Sequence, residues 1–125
     1  MGLAMPESLL ACMCLQAERV SGDFNPQDVA NLVWGFATMG LAMPESLVAC
    51  MCLQAERVSG DFNPQDVANL VWGFATMGLA MPESLLACMC LQAERVSGDF
   101  KPQDVTNLVW GFATMGLAID RKSVG

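Results

Sequence analysis

Histidine and tyrosine are missing from this chain, and lysine and arginine together supply only six of its 125 residues. Without histidine the commonest general base and metal ligand is gone. The shortage of cations leaves a formal net charge of −7, the opposite of the basic footprint that nucleic-acid binding normally shows. Long hydrophobic runs are missing too. The longest, Leu32 to Met43, contains Thr38 and two glycines and stops at Pro44. A membrane-spanning helix needs about 20 apolar residues, so the run reads as a helix end followed by a buried loop, and no membrane partner is expected. No stretch alternates with period two, which excludes strands.

Catalytic motifs are equally scarce. No glycine-rich phosphate loop occurs, and Ser8 and Ser21 lie in no nucleophile motif. Glu7, Glu18, Asp23 and Asp28 recur in each of three copies, as helix-end and solvated-face residues would. A single active site has no use for three identical carboxylate sets, so a binding scaffold without cofactor is expected, not an enzyme. The pattern Met1-Gly2 fails as a myristoylation signal because Pro6 stands where serine or threonine is required. No signal or transit peptide is read ahead of the first copy.

What the chain does have is repetition. Met1-Gly2-Leu3-Ala4-Met5-Pro6 returns at Met39 and again at Met77, a period of 38 residues, and a fourth copy starts at Met115 before diverging at Ile119. The copies 1–38, 39–76 and 77–114 differ at few places: Leu10 becomes Val48, Asn25 and Asn63 become Lys101, and Ala30 and Ala68 become Thr106. A period of this length denotes a solenoid, propeller or array. The array is expected to span 1–118, with 119–125 a divergent tail.

Each unit reads as two helices. Pro6 suits a first helical position, Glu7 favours the positive end of the helix dipole, and Leu9, Met13, Ala17 and Val20 recur at helical spacing, widened by Leu10 and Cys14. Gly22 in Ser21-Gly22-Asp23 is expected to end the helix in a left-handed conformation. Asn25 then caps a second helix, with Pro26 and Asp28 in its first turn and Val29, Leu32, Val33 and Phe36 as its buried stripe, closed by Gly40. Helices are predicted over 6–20, 26–39, 44–58, 64–77, 82–96 and 102–115. The fold class is all-α, an α-solenoid of three helix–turn–helix repeats. Neither end is polar enough to be a capping repeat, so the chain reads as a window of a longer array whose uncapped units stack end to end.

The cysteine pairs Cys12/Cys14, Cys50/Cys52 and Cys88/Cys90 have no zinc-site spacing. Residues two apart on a helix point nearly opposite ways, so these read as small hydrophobes and no metal is expected. Thiols at this density imply a reducing compartment, and the methionines read as core and loop filler.

The stretch Phe24-Asn25-Pro26-Gln27-Asp28-Val29-Ala30-Asn31-Leu32-Val33-Trp34-Gly35-Phe36-Ala37-Thr38-Met39-Gly40, repeated at Phe62 and Phe100, resembles the octotricopeptide repeat family. The likeness extends to the helical repeats of RAP-domain and FAST-kinase-like organelle RNA-binding proteins. That resemblance implies single-stranded RNA as partner, in RNA processing, stability or translation, and a parent protein of the chloroplast or mitochondrion. The RAP segment of those relatives has no counterpart here, so no nuclease activity is implied.

Helical faces then suggest readers. Gln27, Asn31, Trp34 and Thr38 lie on one side of the second helix, opposite Val29 and Phe36. Amides can bond base edges and an indole can stack on them. The candidates are Gln27, Gln65 and Gln103, Asn31, Asn69 and Asn107, and Trp34, Trp72 and Trp110, with Arg19, Arg57, Arg95 and Lys101 for phosphates. The plainer reading makes Asn31 and Trp34 bridges between units. A scaffold for other proteins is the alternative function.

Overall fold

A computed structural model describes residues 4–116. The diverging start of the fourth copy, the tail 119–125, and Arg121 and Lys122 lie outside those residues. The described chain holds six α-helices: α1 (Glu7–Arg19), α2 (Pro26–Met39), α3 (Glu45–Arg57), α4 (Pro64–Met77), α5 (Glu83–Arg95) and α6 (Pro102–Thr114). Short 3₁₀ turns at Ser21–Asp23, Ser59–Asp61 and Ser97–Asp99 join the helices of each pair. Among the described residues there is no strand, and no helix is long and apolar enough to cross a membrane. The protein is an α-solenoid.

Two helix boundaries differ from the sequence reading in a physically informative way. Pro6, Pro44 and Pro82 do not open their helices. Each sits one position outside as an N-cap, with ψ of 140 to 145°. Its carbonyl accepts the first helical bond, as from Leu10 N–H to Pro6 at 3.0 Å. Gly22 is not left-handed either. Val20 leaves the helix at φ −105° and ψ 15°, and the chain tightens into a 3₁₀ turn in which Asp23 N–H bonds the Val20 carbonyl. That turn uses ordinary right-handed torsions, so no glycine is required to stop the first helix.

The second helices match their expected signals. Asn25 Oδ1 accepts from Asp28 N–H at 2.7 Å, and Asp28 Oδ2 accepts from Asn25 N–H at 3.1 Å, a reciprocal cap that satisfies two otherwise orphaned donors. At the other end Gly40 takes φ 69°. Its N–H bonds the Ala37 carbonyl while Leu41 N–H bonds that of Phe36, the 5→2 and 6→1 pair of a Schellman end. The loop beyond is not buried as expected. Leu41 and Ala42 are exposed, and only Met43 turns inward, because a short surface connection leaves its backbone to water.

The core lies between units more than within them. Leu47 and Met51 of α3, Val67 and Val71 of α4, and Leu85 and Met89 of α5 are all fully buried. The equivalent Leu9 and Met13 of α1 are 45% and 49% exposed. They carry the stripe read from the sequence, but no described residue covers it. Burying such a side chain is worth about 1.5–3 kcal/mol, so most stabilisation accrues at the joints.

The two rows of helices pack differently. α2, α4 and α6 lie against each other along their lengths, whereas α1, α3 and α5 touch sparsely. Gly73 makes the closeness possible: a β-carbon there would stand 2.7 Å from Val33 Cγ1 and 3.4 Å from the Val33 carbonyl carbon. Gly111 stands in the same relation to Val71. The second helices therefore form the closely packed, inner row of the array, and the first helices the sparsely packed, outer row.

Candidate nucleic-acid interface

The row of second helices carries the expected face. Gln27, Gln65 and Gln103 are exposed near the N-termini of α2, α4 and α6, followed along each helix by asparagine and tryptophan. The tryptophans meet across the joints. Trp34 and Trp72 have ring centroids 6.2 Å apart at 32°, and Trp72 and Trp110 repeat this at 6.2 Å and 33°. The near-identity of the two pairs means that both joints share one aromatic geometry. A tilted pair at this distance is a favourable aromatic contact, so the indoles bridge units. They also remain open to solvent, with Trp34 43% and Trp110 47% exposed and Trp72 half-buried between them. Asn31 is exposed, whereas Asn69 and Asn107 are half-buried beside the preceding unit.

The cations are arranged less uniformly. Arg19, Arg57 and Arg95 end the outer helices and are exposed. Arg57 Nη1 lies 4.0 Å from where a β-carbon of Gly22 would be, and Arg95 Nη1 lies 3.9 Å from that of Gly60. The guanidinium groups of Arg57 and Arg95 thus sit over the preceding unit's 3₁₀ turn. Lys101 is better placed. With Gln65, Gln103, Asp99 and Asp104 it lines a polar recess of about 280 Å³ between the second and third units. Acids share the same end of the second helices, and burial pushes the Asp66 carboxyl above its usual range, partly offset by its Asn63 hydrogen bond.

Sequence reasoning missed the polar contacts that align the units. Gln54 Nε2 donates to the Phe24 carbonyl at 2.8 Å and to that of Gly22 at 3.3 Å. Gln92 does the same to Phe62 and Gly60, at 2.8 and 3.1 Å. Both glutamines are 5% exposed. Ser46 Oγ donates to Glu18 Oε2 at 2.8 Å, and Ser84 Oγ to Glu56 Oε2 at 2.9 Å, so Glu18 and Glu56 serve as more than solvated residues. A buried-looking stripe interrupted by one invariant amide in every copy was the available signal for the glutamines. Leu15, Leu53 and Leu91 were also missed: they project from the outer side with 59–65% exposure.

The cysteines divide by position. Cys52 is buried, while Cys12 and Cys90 are exposed, so they are not uniformly core residues. Burial, followed by the charge of Glu56, pushes the Cys52 thiol up to about 11. Cys14 and Cys90 are raised for the same two reasons, with Glu18 and Glu94 as the charges.

A family model described as a protein of unknown function (DUF1601) matches residues 20–33, 57–71 and 96–109. The three matches fall on the same part of each unit: the inter-helix turn and the first half of the second helix. No curated protein matches the chain.

Proposed function

We propose that this array is a binding scaffold for single-stranded RNA, of octotricopeptide type, acting without catalysis in organelle RNA processing, stability or translation. The observation that carries the reading is the indole ladder Trp34–Trp72–Trp110 along the row of second helices, flanked in every unit by an exposed glutamine. Aromatic side chains give single strands a sequence-tolerant stacking surface, and amides add base-edge hydrogen bonds. Because Gln27, Gln65 and Gln103 are the same residue in every unit, successive positions prefer the same base, and the target is a short homopolymeric tract. Lys101 contributes a phosphate contact beside Gln65 and Gln103. The low count of cations makes the affinity of three units weak, since phosphate neutralisation supplies much of RNA affinity.

The test is fluorescence anisotropy on an array extended with further copies of the unit, using the four RNA homopolymers and a mixed sequence at low and physiological salt. Preference for one homopolymer, lost on replacing the glutamines, is the expected result. Equal affinity for all five would leave non-specific binding, and no binding even at low salt would remove the RNA reading.

A second reading, a scaffold for other proteins, draws on a different face. Leu15, Leu53 and Leu91 form a regular apolar row on the outer helices of an acidic chain. Exposed apolar rows of this kind mark protein contacts. Loss of captured proteins on changing all three leucines to glutamine, with RNA binding absent, is the outcome that favours it.

A further inference from the structure

We infer that the outer row of helices binds a basic amphipathic α-helix of another protein, laid across α1, α3 and α5. The inference rests on the protein-scaffold reading of the leucine row and names the partner that the row fits. The middle unit carries the argument, since a described unit stands on either side of it. There Leu53 is 62% exposed, and Leu15 and Leu91 repeat it at 65% and 59%. One turn earlier on each helix stands an exposed alanine, Ala11, Ala49 or Ala87. Residues four apart share a helix face, so alanine and leucine make an apolar strip that runs across the three helices.

Carboxylates bound that strip on both sides. Glu45 lies eight residues before Leu53 and Glu56 three after it. At 1.5 Å per residue the two acids stand about 16 Å apart along the helix. The other units repeat the pair as Glu7 and Glu18, and as Glu83 and Glu94. Glu7, Glu45, Glu83 and Glu94 are exposed, and Glu18 and Glu56 are half-buried. The serine bonds to Glu18 and Glu56 engage only Oε2, and a carboxylate has a second oxygen to offer. The arginines that follow are drawn aside. Arg57 and Arg95 place Nη1 over the preceding unit's turn, 4.0 and 3.9 Å from the β positions of Gly22 and Gly60.

An α-helix is about 10–12 Å across with its side chains, so it fits between the two rows of acids. Its apolar stripe then covers the alanines and leucines, while lysine or arginine on each flank meets glutamate. The strip also offers a hole. Between α1 and α3 a recess of about 480 Å³ opens, with Ala11, Leu15, Glu18, Phe36, Pro44 and Ser46 among its walls, and it has room for a leucine side chain. Packed helices stand about 10 Å apart, close to the rise of seven helical residues, about 10.5 Å. Apolar residues of the partner therefore recur at every seventh position. Charge decides the class of partner. A second copy brings the same net charge of −7, and RNA is a polyanion, so this strip repels both and attracts a basic helix.

The probe is a fluorescein-labelled helical peptide of about 20 residues, about 30 Å long, with leucine at every seventh position, alanine beside it and lysine on both flanks. Fluorescence anisotropy with the full chain is expected to show saturable binding that weakens as salt rises. Leu53→Gln, at an exposed position, keeps the helical circular dichroism and lowers affinity about tenfold. Glu56→Gln still accepts from Ser84, and it lowers both the affinity and its salt dependence. Gln65→Ala, on the row of second helices, leaves peptide binding unchanged. Equal binding of a peptide with glutamate for lysine, or of the same residues at scrambled spacing, would overturn the proposal. So would indifference to Leu53→Gln, no binding even at low salt, or leucine-dependent self-association of the chain in sedimentation, which would give the strip to a second copy. If the peptide fails while capture of other proteins still depends on the three leucines, the scaffold reading stands and only its basic-helix partner falls. Failure of both removes the two together.

Discussion

Gly73 rests on Val33 so closely that a β-carbon on the glycine would stand 2.7 Å from Val33 Cγ1, while Gly35, the same residue one unit earlier, has nothing within 4 Å. Glycine within a helix normally costs about 0.5–1 kcal/mol relative to alanine. Its presence at 73 and 111 is explained by the joint. At 35 no described residue makes such a contact. Gly73→Ala is therefore expected to destabilise the array by about 1–3 kcal/mol through overpacking, whereas Gly35→Ala stabilises it by up to about 1 kcal/mol. Urea unfolding of the two variants at low protein concentration checks the opposite signs.

The buried glutamines should behave with the same asymmetry. Gln54→Ala leaves the Phe24 carbonyl without its 2.8 Å donor and opens space at the joint, a loss of about 1–3 kcal/mol. Gln16→Ala removes an exposed side chain from an open face and should fall within about 0.5 kcal/mol of wild type. Equal effects at low protein concentration would show that the bond to the preceding unit is not what the glutamine supplies.

Lys101 replaces the asparagine that caps the other second helices. Its backbone N–H still donates to Asp104 Oδ2 at 3.1 Å, but a lysine ammonium has no acceptor to offer the Asp104 N–H. Lys101→Asn restores that acceptor and should raise stability by about 0.5–2 kcal/mol, read as a higher thermal midpoint. The same change removes a cation, so RNA affinity should fall as stability rises, together with the salt dependence of binding.

The thiols give a pH prediction with a definite sign. Cys52 is pushed up to about 11 in the folded chain, above the ordinary thiol value of about 8.5. Above that ordinary value the unfolded chain loses the proton first, so the folded state holds more protons and stability falls with rising pH. The contribution is intact below about pH 8.5 and is lost as pH climbs towards about 11. Cys52→Ser should flatten this alkaline limb in unfolding titrations. In native protein at neutral pH, exposed Cys12 should react with a thiol reagent well before buried Cys52.

The period, the helix pairs and the second-helix ends were legible because each is written in a short window. Asn25 with Asp28 caps the chain that follows directly, and Gly40 ends the helix it terminates. The first helix was read one residue too long at each end, at Pro6 and at Val20: the fixed φ of proline serves the capping position as well as the first helical one, and Val20 leaves the helix into the 3₁₀ turn. Which row packs closely was not legible. Helical spacing groups Gln27, Asn31 and Trp34 on one side of α2, but that the second helices lie against each other along their lengths depends on how closely Gly73 lets the next helix approach.

Leu9 and Leu47 make the division plain. They share the local sequence Glu-Ser-Leu and the same place on a helix, yet one is 45% exposed and the other fully buried. Composition and periodicity determined that both belong to an apolar stripe, because that follows from residues three and four apart. Only the tertiary structure decided which stripe is covered. The covering atoms come from a neighbouring unit about 30 residues away, as in the bond from Gln54 to Phe24, and identical copies leave no local trace of whether a neighbour is there.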